Sequence, residues 1–176
     1  MFVWIGCALP QTFAAPLRSR CLALNEALGL DVSGFTLPQH ISLKISFDAG
    51  DRYPEILDAV EALLRRETPF AVSPQKIQQQ GGILWLSFRE SGTLQALHEL
   101  LDQQLRTRFG IGQHPFDRDF RFHSTLFLGA PERVALAADA LGEYPLPTQL
   151  PIDTFLLGLS ESGKSGTYRV VRTVEV

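Results

Sequence analysis

Two histidines of this chain stand in the same short sequence pattern. His40 is followed two positions later by Ser42, and His123 by Thr125, and an apolar residue comes next in both copies. Each copy lies in a β-favouring run, where residues i and i+2 share one face of a strand. Each histidine is therefore expected to project together with its hydroxyl residue. Two imidazoles and two hydroxyl donors facing one another would suit acid–base chemistry on a phosphate, because an unperturbed histidine has a pKa of about 6.5.

Further side chains are predicted to share the faces of these histidines. Lys44 lies four positions after the first histidine and Arg121 two positions before the second, so either cation could offset phosphate charge. Phe127 lies four positions after the second histidine and is predicted to floor a nucleoside pocket. His98, in a predicted helix, and His114, in a loop rich in Gly and Pro, are interpreted as incidental to the site.

Strands and helices alternate irregularly along the chain, and several strands are separated by hairpin signals such as Gly81-Gly82. This order predicts an α+β fold with antiparallel sheets rather than a doubly wound parallel sheet. Apolar periodicity predicts helices over residues 12–28, 53–66, 94–109 and 131–141. Strands are predicted over residues 2–8, 39–47, 70–79, 83–88, 118–128, 148–160 and 167–176.

The two copies of the pattern lie almost half the chain apart, and each follows a helix and precedes another. No linker or low-complexity tract divides the sequence. We therefore expect a single domain over residues 1–176, made of two similar lobes that each contribute one histidine.

Composition narrows the class of protein. The 176 residues are 45% hydrophobic and 20% charged, as in soluble globular proteins, and the formal net charge of −3 gives no broad basic surface for coating duplex nucleic acid. No stretch approaches the roughly 18 to 20 apolar residues that span a bilayer, and the apolar start lacks a basic flank, so a cytoplasmic protein is expected. Cys7 and Cys21 are expected to be free thiols. No third ligand accompanies the two histidines and no G-x-x-x-x-G-K-[ST] loop occurs, so no metal, no other cofactor and no ATP dependence are predicted.

Two H-x-[ST]-apolar patterns on strands, in a chain of this length, resemble the 2H phosphoesterase superfamily. Within it the sequence is most similar to the bacterial and archaeal 2′-5′ RNA ligase-like, cyclic phosphodiesterase group. The resemblance covers nearly the whole chain. Residues 2–5 with 9–10 are similar to the opening strand and turn of that group, 84–86 to its mid-chain strand, 97–109 to its helix before the second motif, and 157–168 to its closing hairpin.

The resemblance implies a bilobal fold of two antiparallel sheets with flanking helices around a central cleft, related by a pseudo-two-fold axis. It also implies a metal-independent phosphoesterase, with one histidine from each lobe as catalytic residues and Ser42 and Thr125 binding the phosphate. Tyr168 matches the tyrosine of the closing hairpin, and could stack on a base or line the cleft. The chain departs from the group at Ser42, where threonine is more common, and at Phe122, where proline is more common.

The implied reaction opens a 2′,3′-cyclic phosphate at the end of an RNA or on a small nucleotide, and its reverse would join such an end to a 5′-hydroxyl. The residues leave open which histidine is the acid. Superfamily precedent favours His123 when the product carries a 2′-phosphate. A tRNA fragment, an oligonucleotide end, a small cyclic nucleotide derivative and ADP-ribose 1″,2″-cyclic phosphate all remain possible substrates. A monomer is favoured.

Two other functions compete with an enzyme. The same fold could hold a nucleotide or RNA end without turnover, or the duplicated pattern could be incidental in a structural protein. Intact histidines and hydroxyls favour the enzyme, a nucleotide that survives unchanged would favour the binding module, and a structural protein would have no phosphate affinity.

Overall fold

The computed structural model describes residues 1–31, 33–89 and 91–176. Within them the chain forms an α+β fold of antiparallel sheets, as predicted. The helices are α1 (Gln11–Leu28), α2 (Tyr53–Leu64), α3 (Gly92–Phe109) and α4 (Pro131–Leu141). The strands are β1 (Phe2–Ala8), β2 (His40–Asp48), β3 (Phe70–Val72), β4 (Pro74–Gln80), β5 (Ile83–Phe88), β6 (His123–Leu128), β7 (Leu150–Ile152), β8 (Thr154–Ser160) and β9 (Arg169–Glu175).

Each histidine pattern lies on a different sheet. The first sheet has the strand order β2-β1-β8-β9, and β2 carries His40 at its edge. The second has the order β4-β5-β6, and β6 carries His123, also at an edge. All neighbouring strands in both sheets are antiparallel. Edge strands of two separate sheets can therefore face each other.

The helices pack apolar stripes against these sheets. The stripe of α2 buries Ile56, Leu57, Val60 and Leu64, at the spacing of three and four that one helix face requires. Helix α4 packs on β4 and β5, while α3 packs on β2. Helix α1 ends where Gly29 adopts the left-handed conformation (φ 59°) and donates its N–H to the Asn25 carbonyl, which closes the last turn.

Three predicted strands differ from the structure. Residues 70–79 divide into β3 and β4, and residues 148–160 divide into β7 and β8, because β3 and β7 pair with each other in a third, two-stranded sheet. The predicted strand over residues 118–128 begins only at His123. The preceding segment Pro115–Asp119 forms a 3₁₀ helix. Proline is favoured at the first position of a helix, and the side chains of His114 and Asp117 each accept a hydrogen bond from a backbone N–H of the first turn.

Both cysteines are buried and free, as expected. Burial raises the pKa of each thiol to about 12, so neither is a ready nucleophile. None of the described helices combines the length and the apolar character that crossing a bilayer requires.

Candidate active site

The two histidines have the same local geometry. Each is the first residue of its strand, and each imidazole lies 2.7 Å through Nδ1 from the carbonyl oxygen two residues earlier, that of Pro38 for His40 and that of Arg121 for His123. A carbonyl only accepts, so Nδ1 carries the proton in both rings. The neutral tautomer therefore leaves Nε2 of each ring with a free lone pair.

Gln39 joins the two lobes beside the histidines. Its side-chain Nε2 donates to Ser124 Oγ at 2.6 Å and to the Thr125 carbonyl oxygen at 2.8 Å. Gln39 and Ser124 are both buried. The residue before His40 is thus bonded directly to the two residues that follow His123, and this contact fixes the two strands relative to each other.

Burial dominates the electrostatics of the two imidazoles. It lowers the pKa of His40 to about 4, against the opposing effect of the Pro38 carbonyl, and the positive form of His123 lowers it further. Burial also lowers the pKa of His123, again against a carbonyl, that of Arg121. Burial therefore keeps His40 neutral at neutral pH, and the joint action of the two imidazoles stays a prediction.

Ser42 is held by a tryptophan on the neighbouring strand. Trp4 donates its indole N–H to Ser42 Oγ at 3.0 Å, and its ring lies edge-on to the His40 imidazole with centroids 4.3 Å apart. Since the hydroxyl oxygen accepts from Trp4, its own hydrogen is free to donate. The Trp4 ring is seated over Gly6 and Gly158, where added Cβ atoms would come within 2.5 Å and 2.9 Å of it.

The second lobe repeats this arrangement in part. The Trp85 ring lies 4.5 Å from the His123 imidazole, and Trp85 is paired with Thr125 across β5 and β6. The Thr125 hydroxyl bonds to no other described residue, and the buried indole N–H of Trp85 also lacks a partner there. One indole therefore packs against each histidine. Sequence reasoning missed this feature, although the only two tryptophans of the chain each lie in a predicted strand.

A β-bulge follows the hydroxyl residue in both strands. Ser42 pairs with Gly6 but Lys44 with Ile5, which leaves Leu43 as an extra residue on β2. Thr125 pairs with Trp85 but Phe127 with Leu84, which leaves one extra residue on β6. A bulge breaks the alternation of side chains, so the residue after it turns to the opposite face.

The prediction that Lys44 lies in the cleft is therefore wrong. Lys44 is 1% exposed and points into the interior, where its ammonium bonds to Asp102 at 2.8 Å and also to Asp117. His98 completes this buried polar cluster, with Nδ1 2.7 Å from the Leu43 carbonyl oxygen. His98 is part of the interior that supports β2, and its incidental role at the site stays a prediction.

The prediction that Phe127 lines a nucleoside pocket is also wrong, because Phe127 follows the bulge on β6. Phe127 is 1% exposed and packs in the core against Phe35, with ring centroids 6.1 Å apart. Arg121 is exposed beside the second histidine and has Asp119 at 3.8 Å, so its role in binding substrate stays a prediction. Tyr168 is half-buried against a small apolar cluster of Trp4, Leu37 and Leu156. Its hydroxyl is bonded to Ser46, so only the ring of Tyr168 is available to stack on a nucleobase.

No group of three or more His, Cys, Asp or Glu side chains with metal-binding geometry occurs among the described residues. With Nδ1 held by a carbonyl in both rings, the two imidazoles can transfer protons through Nε2, and each has a hydroxyl residue two positions further along its strand. Each histidine could act as a base when neutral and as an acid when protonated.

Solved structures share this fold over almost the whole chain. The protein TT0787 of Thermus thermophilus superposes with a TM-score of 0.69 at 19% identity, covering 99% of this chain and 97% of that one. Escherichia coli LigT complexed with 3′-AMP gives 0.61 at 16% identity (99% and 96%). Kluyveromyces marxianus Usb1 gives 0.55 at 10% identity (99% and 98%).

Among curated proteins the sequence finds no significant match. The family comparison is decisive, because the model of the 2′-5′ RNA ligase superfamily matches residues 15–163, which include both histidine patterns and most of the chain. The chain belongs to the 2′-5′ RNA ligase superfamily.

Proposed function

We propose that this protein is a phosphoesterase that opens 2′,3′-cyclic phosphate ends of RNA or nucleotides by general acid–base catalysis with His40 and His123. It needs no metal and no other cofactor for this reaction. Membership of the superfamily supports a phosphoesterase-type function, and the crystallisation of the structural neighbour LigT with 3′-AMP and with NADP⁺ supports a nucleotide ligand. A cytoplasmic location is part of the same proposal.

One observation carries the proposal. Two imidazoles from separate sheets each present a free Nε2, because each Nδ1 is held at 2.7 Å by a backbone carbonyl two residues earlier. A displacement at phosphorus needs one group to remove a proton and another to supply one. Positioned groups of this kind each contribute roughly 10² to 10⁴ in rate.

The hydrolytic step balances with these two groups. The oxygen of a water attacks phosphorus while Nε2 of His40 takes a proton from it. The bond from phosphorus to the ribose 3′-oxygen breaks, and that oxygen takes a proton from Nε2 of His123, which leaves a 2′-phosphate. Ser42 and Thr125 donate their hydroxyl hydrogens to the non-bridging oxygens, where charge accumulates. A 5′-hydroxyl that attacks phosphorus in place of the water would join the cyclic end to a second strand without ATP, with the same ribose 3′-oxygen leaving.

The surroundings of the two rings support this assignment of roles. A base must be neutral when substrate binds, and burial lowers the pKa of His40 to about 4, so this ring is neutral over most of the pH range. His123 then supplies the proton. A bound phosphate anion favours its protonated form, because opposite charges a few ångströms apart attract. The value of kcat/KM is expected to rise as pH increases past about 4 and to fall again as His123 of the free enzyme loses its proton, at a lower pH than an ordinary histidine because burial lowers the pKa of His123.

The decisive test is turnover of 2′,3′-cyclic nucleotides and RNA ends in EDTA by the wild type, His40→Ala and His123→Ala. His114→Asn is the matched control, since His114 is exposed and asparagine keeps a side-chain acceptor for its capping bond to the Phe116 N–H. Ring opening that persists in the chelator, is lost in both site variants and survives in the control would support the proposal. The position of the product phosphate then tests the acid–base assignment. Tight nucleotide binding without turnover would replace the proposal with a binding module, and turnover unaffected by either substitution would refute it.

A further inference from the structure

The indole of Trp4 is held in place on the face of the first sheet. Trp4 is 6% exposed, and the edges of its six-membered ring lie over Gly6 on the same strand and Gly158 on β8. Leu156 belongs to the same buried apolar cluster. Backbone beneath the ring and apolar side chains around it therefore fix the direction of the indole N–H, which reaches Ser42 Oγ at 3.0 Å.

A serine at position 42 needs a constraint from outside its own side chain. Serine populates three staggered rotamers about χ1, whereas threonine carries a second heavy atom on Cβ that restricts this angle by itself. The bond from Trp4 holds the Ser42 oxygen in one rotamer and occupies one of its lone pairs. The hydroxyl hydrogen is then directed away from the indole and is free to donate to another acceptor.

The second lobe offers the matching comparison. Trp85 packs against His123 as Trp4 packs against His40, but the buried N–H of Trp85 has no partner among the described residues. The hydroxyl residue of that strand is threonine, which is β-branched. The indole N–H is thus used at the hydroxyl that lacks a restriction of its own, and is not used where the side chain supplies one.

We infer that Trp4 is a positioning residue for Ser42. Its N–H holds the Ser42 hydroxyl in the rotamer that donates to a non-bridging oxygen of the reacting phosphate, and so does for serine what the branched Cβ does for Thr125. Trp4 acts through Ser42 and makes no contact with the reacting atoms. This inference rests on the proposed function and adds a residue outside both histidine patterns.

The test removes the N–H at position 4 with different residues at position 42. One variant is Trp4→Phe. A second carries benzothienylalanine at position 4, which keeps the shape of the ring and has sulfur in place of the N–H. Each is combined with Ser42→Thr and with Ser42→Ala, and kcat and KM are measured for a 2′,3′-cyclic nucleotide at a temperature where urea unfolding shows every variant to be folded.

The expected result depends on the residue at position 42. With serine, loss of the N–H should lower kcat about 3- to 10-fold, because three rotamers become available, while complete loss of such a donor costs roughly 10² to 10³. With threonine the same change should cost less than about twofold, since χ1 stays restricted. With alanine it should cost nothing further. Leu156→Val is the packing control, because it thins the surroundings of the ring and keeps the N–H, so its effect on kcat should be the same with serine and with threonine.

Equal losses of kcat with serine and threonine, or no loss with benzothienylalanine, would overturn the inference, while inactive His40→Ala and His123→Ala would still support the proposed reaction. The affinity for adenosine 2′-phosphate, a product of that reaction, gives a readout that does not depend on turnover. Loss of the N–H should weaken this affinity about threefold with serine and leave it unchanged with threonine. That pattern in a protein that opens no cyclic phosphate would keep Trp4 as a positioning residue of a phosphate site and refute the proposed reaction instead.

Discussion

Replacing Gln39 by leucine tests whether the cross-lobe contact positions the two histidines. The substitution keeps much of the side-chain volume but removes both donors, those to Ser124 Oγ at 2.6 Å and to the Thr125 carbonyl at 2.8 Å. Both acceptors lie beside His123, and Gln39 immediately precedes His40. We therefore expect two effects, a loss of stability and a loss of rate that exceeds what unfolding explains.

The magnitude follows from the burial of the groups left without a donor. A buried polar group that loses its partner costs about 1–3 kcal/mol, and two are affected here, with Ser124 completely buried. The apolar leucine side chain recovers part of this through its own burial. We expect the free energy of unfolding to fall by about 2–4 kcal/mol. A shift of about 1 Å between catalytic groups costs roughly 10² in rate, so kcat should fall by about 10- to 100-fold.

The assay pairs urea unfolding with kcat and KM for a cyclic phosphate substrate, at a temperature where the variant is folded. Gln79→Leu is the matched control, since the Gln79 amide also makes two bonds, to the Gly81 and Pro131 carbonyls at 2.8 Å, but at the surface where water can replace it. The control should lose less than about 1 kcal/mol and keep its kcat. If Gln39→Leu behaves like the control in both measurements, the lobes are fixed in another way and the reasoning fails.

Three further predictions test other parts of the site. Lys44→Met should lower the free energy of unfolding by about 3–5 kcal/mol in urea, because two buried carboxylates are left without their cation; a loss under about 1 kcal/mol would contradict the buried cluster. Gly6→Ala should lower the free energy of unfolding in urea by about 1–3 kcal/mol and lower kcat/KM, because its Cβ would lie 2.5 Å from the Trp4 ring and 2.8 Å from a backbone carbonyl of β2. The control Gly112→Ala has open space around it and should change neither quantity, and equal behaviour of the two variants would contradict the prediction. Burial lowers the pKa of His40 from 6.5 to about 4, so between these values the unfolded chain binds a proton that the folded chain does not. The free energy of unfolding that depends on this residue is therefore complete above about pH 6.5, and it falls by about 3 kcal/mol as pH drops towards 4. In urea unfolding, His40→Gln should remove this part of the dependence of the free energy on pH. An unchanged pH dependence would show that His40 ionises freely in the folded protein.

Most of the fold could be predicted because the relevant information is local. The apolar stripe that predicts α2 lies in that helix itself, and the glycine that predicts the end of α1 comes directly after its last residue. The pairing of β3 with β7 could not be predicted in the same way, since these strands are far apart in sequence and only three residues long each. The 3₁₀ helix before β6 had a signal in the His114-Pro115 pair, but the β-favouring residues that follow outweighed it.

The candidate site was predictable only as far as strict alternation of side chains holds. His40 and Ser42 precede the bulge on β2 and lie together, whereas Lys44 follows it and lies on the opposite face. A single extra residue in a strand leaves no mark in composition or periodicity, because Leu43 is as suitable for a regular strand as for a bulge. Gln39 was missed for a different reason, since a contact between residues 39 and 124 depends on how the two sheets meet.

The repeated bulge gives a physical reason for a pattern of only four positions. In a regular strand, every second residue after the histidine would enter the cleft and fill the space that a phosphate needs. The bulge turns Lys44 and Phe127 inward, where Lys44 is paired with two buried carboxylates and Phe127 packs in the core. The two strands therefore share the histidine, the hydroxyl residue and the bulge, and they differ in the partner of the neighbouring indole. Gln39, the residue before His40, is bonded to Ser124 of the other sheet, while His123 lines a cavity together with Arg89, Arg118 and Arg121. A fixed, neutral base beside the water and an acid beside the departing ribose oxygen are the division of roles that such an asymmetry would serve.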